Sequence, residues 1–306
     1  MLNEEGMDMT QPTIKHSGAH FAWIRRHMGQ IIALVFMLAL MAVWLMPLVW
    51  AILSSFKSSI EAKQFLKHRN LLPLTWTLEN YHYVFSTATT PVFRWMGNSF
   101  IVSLSQMVLV LFATSTSAYA YERLRFRGKE TIFWAVFALS MFPNVVGLVP
   151  QFQLMNMLRW LDKLPSVIFP GVTGVFNIFL IRNFLRSVPR DLDEAASIDG
   201  AGPWRIYYQI LLPTIRPVLT VVALFAFTGA WNDFVWPSIA LTNPKNLTLT
   251  PGLRLLQVSE GGFGGGGHVV RQLAGGVIGI IPTFLIYLGA QKYFLTGLNL
   301  GAGIKG

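Results

Sequence analysis

The run IIALVFMLALMAVWLMPLVWAIL, from Ile31 to Leu53, contains no charged residue. A bilayer core about 30 Å thick is crossed by roughly 20 apolar residues in a helix. A chain inside lipid has to satisfy its own backbone hydrogen bonds, so helices and closed barrels are the spanning structures open to it. Five further stretches meet the length test: about Phe100 to Tyr121, Ile132 to Val149, Ser166 to Leu185, Val218 to Trp236 and Leu273 to Phe294. The pattern predicts an all-α membrane protein with six transmembrane helices. Pro47, Pro143, Pro170 and Pro282 fall inside these stretches, which membrane helices tolerate when neighbours satisfy the freed carbonyls.

Composition agrees. Hydrophobic residues make up 53% of the chain and charged residues 12%, against about 25% charged in soluble domains. There is no cysteine, which excludes disulfides and thiolate chemistry. The first apolar run follows Arg25 and Arg26 as a signal peptide would. It is longer than an h-region of about 7–15 residues, and no small-residue cleavage site follows it, so a retained helix is expected.

Six spans place both ends on one side. Lysines and arginines mark the cytoplasmic side. Arg25 and Arg26, the loop ERLRFRGKE, and Arg182, Arg186, Arg190, Arg205 and Arg216 form the denser set. Both termini and the loop after the fourth span are therefore expected in the cytoplasm. The formal charge of +10 reads as a topology signal, not as a nucleic-acid surface. The expected organisation is a tail over residues 1–30, a first span over 31–53, an external loop over 54–97, a core over 98–294, and a tail over 295–306. TWTLENYHYVF in the first external loop fits a short amphipathic helix. No internal repeat is visible.

Between the fourth and fifth spans lies a polar stretch, residues 189–213, containing EAASIDGAGPWRIYYQILLP. Asp191, Asp193 and Glu194 suit a helix N-terminus, where the backbone dipole favours negative charge. Gly200 and Gly202 break that helix, and Pro203 is placed to start a second one. Composition alone leaves this helix pair as an ordinary solvated connection. Its spacing is more specific. Glu194-Ala195-Ala196, then Gly200, then Ile210, Leu212 and Pro213, resembles the EAA loop of the integral-membrane permease subunits of bacterial ABC importers. FLIRNFLRSVPRDLDEAASIDGAG, WNDFVWP and QKYFLTGLNLGAGIKG resemble the carbohydrate branch, the maltose-type permeases, and within it the second, shorter permease.

The resemblance implies a type I ABC importer permease fold in a bacterial inner membrane. It implies obligate partners: a second permease subunit, a cytoplasmic ATPase dimer and an extracytoplasmic solute-binding protein. The cargo it implies is a sugar, with a non-sugar solute such as glycerol phosphate or another polyol as the alternative. The loop would dock on the ATPase: Glu194 would pair with a basic residue there, and Gly200 would form the turn. Ala195 and Ala196 would lie against the groove, and Leu212 and Pro213 would anchor the loop to the membrane domain.

This chain carries no cofactor site of its own by sequence. A P-loop needs glycines and a Lys followed by Ser or Thr. Gly128-Lys129-Glu130 lacks both requirements, so ATP and magnesium would sit on the partner. The histidines are scattered, and no metal site is expected. Gly262, Gly264 and Gly267 match G-x-G-x-x-G without the strand such a site requires. The run Gly261, Gly262, Phe263, Gly264, Gly265, Gly266, Gly267 reads either as a flexible linker or as a probe for a docked binding protein.

Asn232 and Asp233 sit near the outer end of the fifth span. Three readings stand for Asp233: a solvated interfacial acid, a hydrogen-bonded cluster with Asn232, or substrate contact. Gly275 and Gly279 form GxxxG, a close packing face. Thr114, Ser115, Thr116 and Ser117 either face a translocation path or bond back to their own helix. A secondary transporter would need ionisable residues within its spans, and these spans have almost none.

Overall fold

The computed structural model describes residues 18–64, 70–86, 91–172, 174–258 and 266–302. Every regular element among them is helical. The chain divides into two units, Met1–Ala51 and Ile52–Gly306. The first consists, among described residues, of most of α1 (Gly18–Ser55), which runs through Pro47 without a break.

In the second unit, α2 (Ser59–Lys63) and α3 (Glu79–Ser86) pack on the last helix. The amphipathic segment expected in the first external loop is α3, which buries Asn80 and Val84. The Asn80 amide donates to the carbonyls of Ser55 (2.8 Å) and Lys57 (2.7 Å), occupying acceptors left open where α1 ends. Next comes α4 (Val92–Arg123), the central helix, against which α8, α12 and α14 all pack.

The third expected span is two helices. The first, α5 (Lys129–Leu139), is bent by 91° from the segment Asn144–Met157. That segment is a 3₁₀ turn, Asn144–Gly147, followed by α6 (Leu148–Met157). The cause is Pro143, which has no N–H to give and forces its predecessor out of helical conformation. The fourth is also broken: α7 (Pro165–Ile168) and a 3₁₀ turn over Pro170–Val172 lead, at a 42° bend, into α8 (Val175–Ser187).

The loop follows as α9 (Asp191–Ile198) and a second helical run. That run is α10 (Pro203–Arg205), a π segment over Ile206–Leu211, and α11 (Leu212–Thr214). After an 81° bend comes α12 (Arg216–Asn232). The expected fifth span to Trp236 stops at Asn232, because Asp233 is extended and a new helix, α13 (Val235–Ala240), begins. Finally α14 (Leu249–Val258) packs beside α15 (Gly266–Ala302).

Among the described residues, three helices are long and apolar enough to cross a membrane: His27–Ser55, Val92–Arg123 and Val269–Gly289. The bent pairs raise this to as many as six. GxxxG works as a packing face within the chain. A methyl at Gly275 would collide with Leu253 of α14, and one at Gly279 would press on Leu249.

Candidate functional site

The polar loop is built as a compact helix pair. α9 opens with Asp191, Asp193 and Glu194 in its first turn, where negative charge meets unpaired backbone N–H groups. It ends in a Schellman motif. The Ala201 N–H donates to Ala196 O (2.9 Å), the Gly200 N–H donates to Ser197 O (3.1 Å), and Gly200 has φ +81°. An L side chain is strained at that φ, so glycine fits the corner the loop turns on. Gly202 is extended, and Pro203 opens the second helical run.

Two hydroxyls fasten this second run to α4. Tyr207 Oη lies 2.8 Å from Ser115 Oγ, and Tyr119 Oη donates to Pro203 O (3.0 Å). The two tyrosine rings lie 5.3 Å apart. Three of the four hydroxyls from Thr114 to Ser117 bond back to their own helix: Thr114 to Val110 O, Ser115 to Leu111 O and Thr116 to Phe112 O.

The outer face of the pair is apolar and charged at once. Ile198 is 86% exposed, Trp204 71% and Tyr208 69%, with Leu192 nearby in sequence and also exposed. Glu194 and Ala195 are exposed on the same helix. Ala196 is not. It is buried against the chain's own core with Ile206 and Tyr207, which corrects its expected place against a partner. α9 has to bury one face on the second run, and a small residue lets the two approach.

The anchor residues also shift. Leu211 and Ile215 are the fully buried pair, while Leu212 and Ile210 are partly buried and Pro213 is exposed. The π segment inserts extra backbone into each turn and rotates the buried face by about 100° per residue inserted. Leu211 and Ile215 are therefore the most buried part of the anchor, Leu212 packs partly buried against the same core, and Pro213 does not.

Below the pair lies a charged cluster that sequence reasoning missed. Glu122 of α4 accepts from Arg182 Nε (3.1 Å) and Arg186 Nε (3.2 Å), with Arg190 Nη2 at 3.6 Å. Arg182 also bonds Glu130 of α5 and lies 4.4 Å over the Phe133 ring. Arg123 donates to Leu185 O (3.0 Å) and Val188 O (2.8 Å), capping α8, and pairs with Asp193 of α9 at 3.3 Å. Burial pushes the Asp193 carboxyl up from the usual aspartate range, and Arg123 and Arg190 beside it pull it back. By sequence these arginines are topology markers. Arg182 and Arg186, four residues apart, share one face of α8, while Arg190 lies beyond its end, before α9.

The remaining candidates are dispersed. Gly261 to Gly265, with Phe263, lie outside the described residues, while Gly266 and Gly267 start α15. Asn232 donates to Thr228 O (2.9 Å). The Asp233 carboxyl faces the backbone N–H groups of Trp236, Val235 and Phe234. No hydrogen bond joins Asn232 to Asp233 among the described residues, because the Asn232 amide bonds its own helix. Asp233 instead marks the extended break between α12 and α13.

Comparison with known proteins agrees with this geometry. Residues 111–295 match the family described as binding-protein-dependent transport system inner membrane component. The arabinooligosaccharides transport system permease protein AraQ of Halalkalibacterium halodurans is 33% identical over 260 residues, covering 85% of this chain and 91% of that protein. The galactooligosaccharides transport system permease protein GanQ of Bacillus subtilis is 32% identical, covering 92% of this chain and 98% of its own length. In fold, a crystallised bacterial ABC transporter involved in import of the acidic polysaccharide alginate superposes with a TM-score of 0.74 at 23% identity, over 93% of this chain and 100% of that one. The matched region takes in α4 from its middle, the charged cluster, the helix pair and most of α15, and the chain belongs to the binding-protein-dependent transport system inner membrane components.

Proposed function

We propose that this chain is the second, shorter permease subunit of a binding-protein-dependent ABC importer for a sugar, and most specifically for an oligosaccharide. It crosses the inner membrane six times with both termini in the cytoplasm. A second permease completes the path, a cytoplasmic ATPase dimer holds ATP and magnesium, and an extracytoplasmic binding protein delivers cargo.

The observation that carries this reading is the helix pair. Its corner is a left-handed glycine, its buried face is bolted to α4, and its outer face offers Ile198, Trp204 and Tyr208 beside Glu194. Large exposed apolar side chains with a polar flank suit a protein partner. The charge of Glu194 sets register on that partner more than affinity. Closure of the ATPase dimer pulls the pair, and the Arg–Glu cluster passes the pull to α4, α5 and α8. The sugar assignment is supported by the relatives named for arabino- and galacto-oligosaccharide transport.

The test is uptake in the native membrane. Glu194→Lys and Gly200→Asp should leave the chain inserted and the binding protein docking, while uptake falls by at least an order of magnitude. Unchanged uptake in both variants removes the coupling role. Mass spectrometry of the gently solubilised complex should find an ATPase and a second permease with the wild-type chain.

A further inference from the structure

The helix pair reads the motor, not the cargo. The cargo has a separate signature in an open cavity of about 1110 Å³ lined by α4, the α5–α6 bend, α8, α12 and α13. Ligand sites of small molecules run to roughly 300–1,000 Å³, so this one admits a sizeable solute.

Its lining is unusual for a chain this apolar. Amide side chains converge on it from separate elements: Gln106 of α4, Asn144 at the bend, Gln151 of α6, Asn177 of α8 and Asn232 of α12. Polar side chains in spans are expensive facing lipid and belong beside water or a solute. Gln106 and Asn232 each donate one bond to a carbonyl. Asn144, Gln151 and Asn177 make no side-chain hydrogen bond with another described residue, and each has at least part of its surface open. Amides carry paired donors and acceptors, the complement of a sugar hydroxyl. The apolar remainder of the wall includes the exposed rings of Phe142 and Phe225, which suit the C–H faces of a pyranose.

The charge of the wall narrows the cargo. Among its described residues there is no Lys, Arg or His, and its one ionisable group is Asp233. Neither protonation state of Asp233 supplies a positive charge. An acidic glycan would bring carboxylates against this wall with no cation from it to meet them, at a heavy desolvation cost. We infer that this subunit itself forms part of the cargo path through Asn144, Gln151 and Asn177, and that it accepts neutral oligosaccharides and rejects uronate chains. In this it departs from the acidic polysaccharide handled by its structural neighbour. The inference rests on the importer assignment.

The experiment uses the complete importer in proteoliposomes with its binding protein. The probes are neutral arabino-, galacto- and gluco-oligosaccharides of two to five units, and alginate oligosaccharides of the same length. Wild-type vesicles should import at least one neutral probe and no alginate probe. Asn144→Leu, Gln151→Leu and Asn177→Leu, on three separate segments, should each lower the sugar moved per ATP hydrolysed by about three- to tenfold. Asn177→Gln should recover part of the loss. As a measurement independent of variant folding, a diazirine-bearing neutral oligosaccharide should label peptides from α6, α8 or the α5–α6 bend of the wild-type complex. Wild-type sugar per ATP in all three assembled leucine variants, labelling confined to the other permease, or comparable import of alginate overturns the inference. Failure of the importer assignment looks different, since no probe of either class would then enter even in wild-type vesicles.

Discussion

The second unit holds itself together in two ways, and the contrast separates a rigid wall from an ionic joint. Its Trp-rich region is packed by large rings whose indole N–H groups bond backbone carbonyls, one of them set into a glycine notch. Trp95 lies against Gly252 and donates to Pro244 O (2.6 Å). Trp231 donates to Gly279 O (3.0 Å), and Trp236 donates to Ser166 O (2.8 Å). The loop-proximal region has a smaller-residue core around Ala118, Ala196 and Tyr207. Its helices are joined by charge and by hydroxyls: Glu122 with three arginines, Arg123 with Asp193, Ser115 with Tyr207. Ring-in-notch packing has one good arrangement. Charge pairs can exchange partners at similar energy, and Arg182 already contacts both Glu122 and Glu130. A rigid wall above and an ionic joint at the loop is what a transmitted pull requires.

The contrast can be broken from either side. Arg182→Ala leaves Glu122 and Glu130 without their shared, almost fully buried partner. Glu122 keeps Arg186 and Arg190, and Glu130 is half exposed, so the loss should be about 2–3 kcal/mol, the scale of hydrogen bonds to charged groups, with lower uptake per ATP, measured by thermal unfolding in detergent and by vesicle transport. Gly252→Ala drives a methyl into the Trp95 ring. It should destabilise by about 1–3 kcal/mol while the sugar carried per ATP in the surviving complex stays at the wild-type value. Tyr207→Phe removes the bond to Ser115 and should lower stability by about 1 kcal/mol, with a detectable loss of coupling.

The smallest effect is one of pH. The hydrogen bond from Arg182 holds the Glu130 carboxyl below the usual glutamate range. Its folded value lies below its unfolded value, so this stabilisation is present above pH ~4.3 and is lost as pH falls through the folded value. The unfolding midpoint should fall on acidification from about pH 5, and Glu130→Gln should weaken that dependence.

Much of this was legible in the chain itself. Long uncharged runs gave the helical membrane class, and the GxxxG of the last span packs where small residues allow. Gly200 turned the loop as its position between two helix signals implied. What the residues could not show was phase. Leu212 and Pro213 are implied as anchors by the resemblance alone, which carries no helical phase, and around the π segment inside IYYQIL the most buried residues are Leu211 and Ile215. The broken third span was half visible in Pro143, whose effect on direction depends on what packs beside it. The ionic joint was invisible for another reason. Its members lie some 60 residues apart in sequence, and charges near membrane helices have a simpler use as topology signals. The amide-lined cavity needs the same long-range convergence.

The central claim is that the exposed face of the helix pair sits on an ATPase. The chain has no cysteine, so Ile198→Cys gives it a single thiol, on a residue 86% exposed in the isolated chain. A short bifunctional maleimide added to membranes of the complete importer should link that thiol to the ATPase subunit, and ATP should change the yield. Full labelling of Cys at 198 by a bulky soluble maleimide in the assembled complex, with no cross-link in any nucleotide state, would contradict the account.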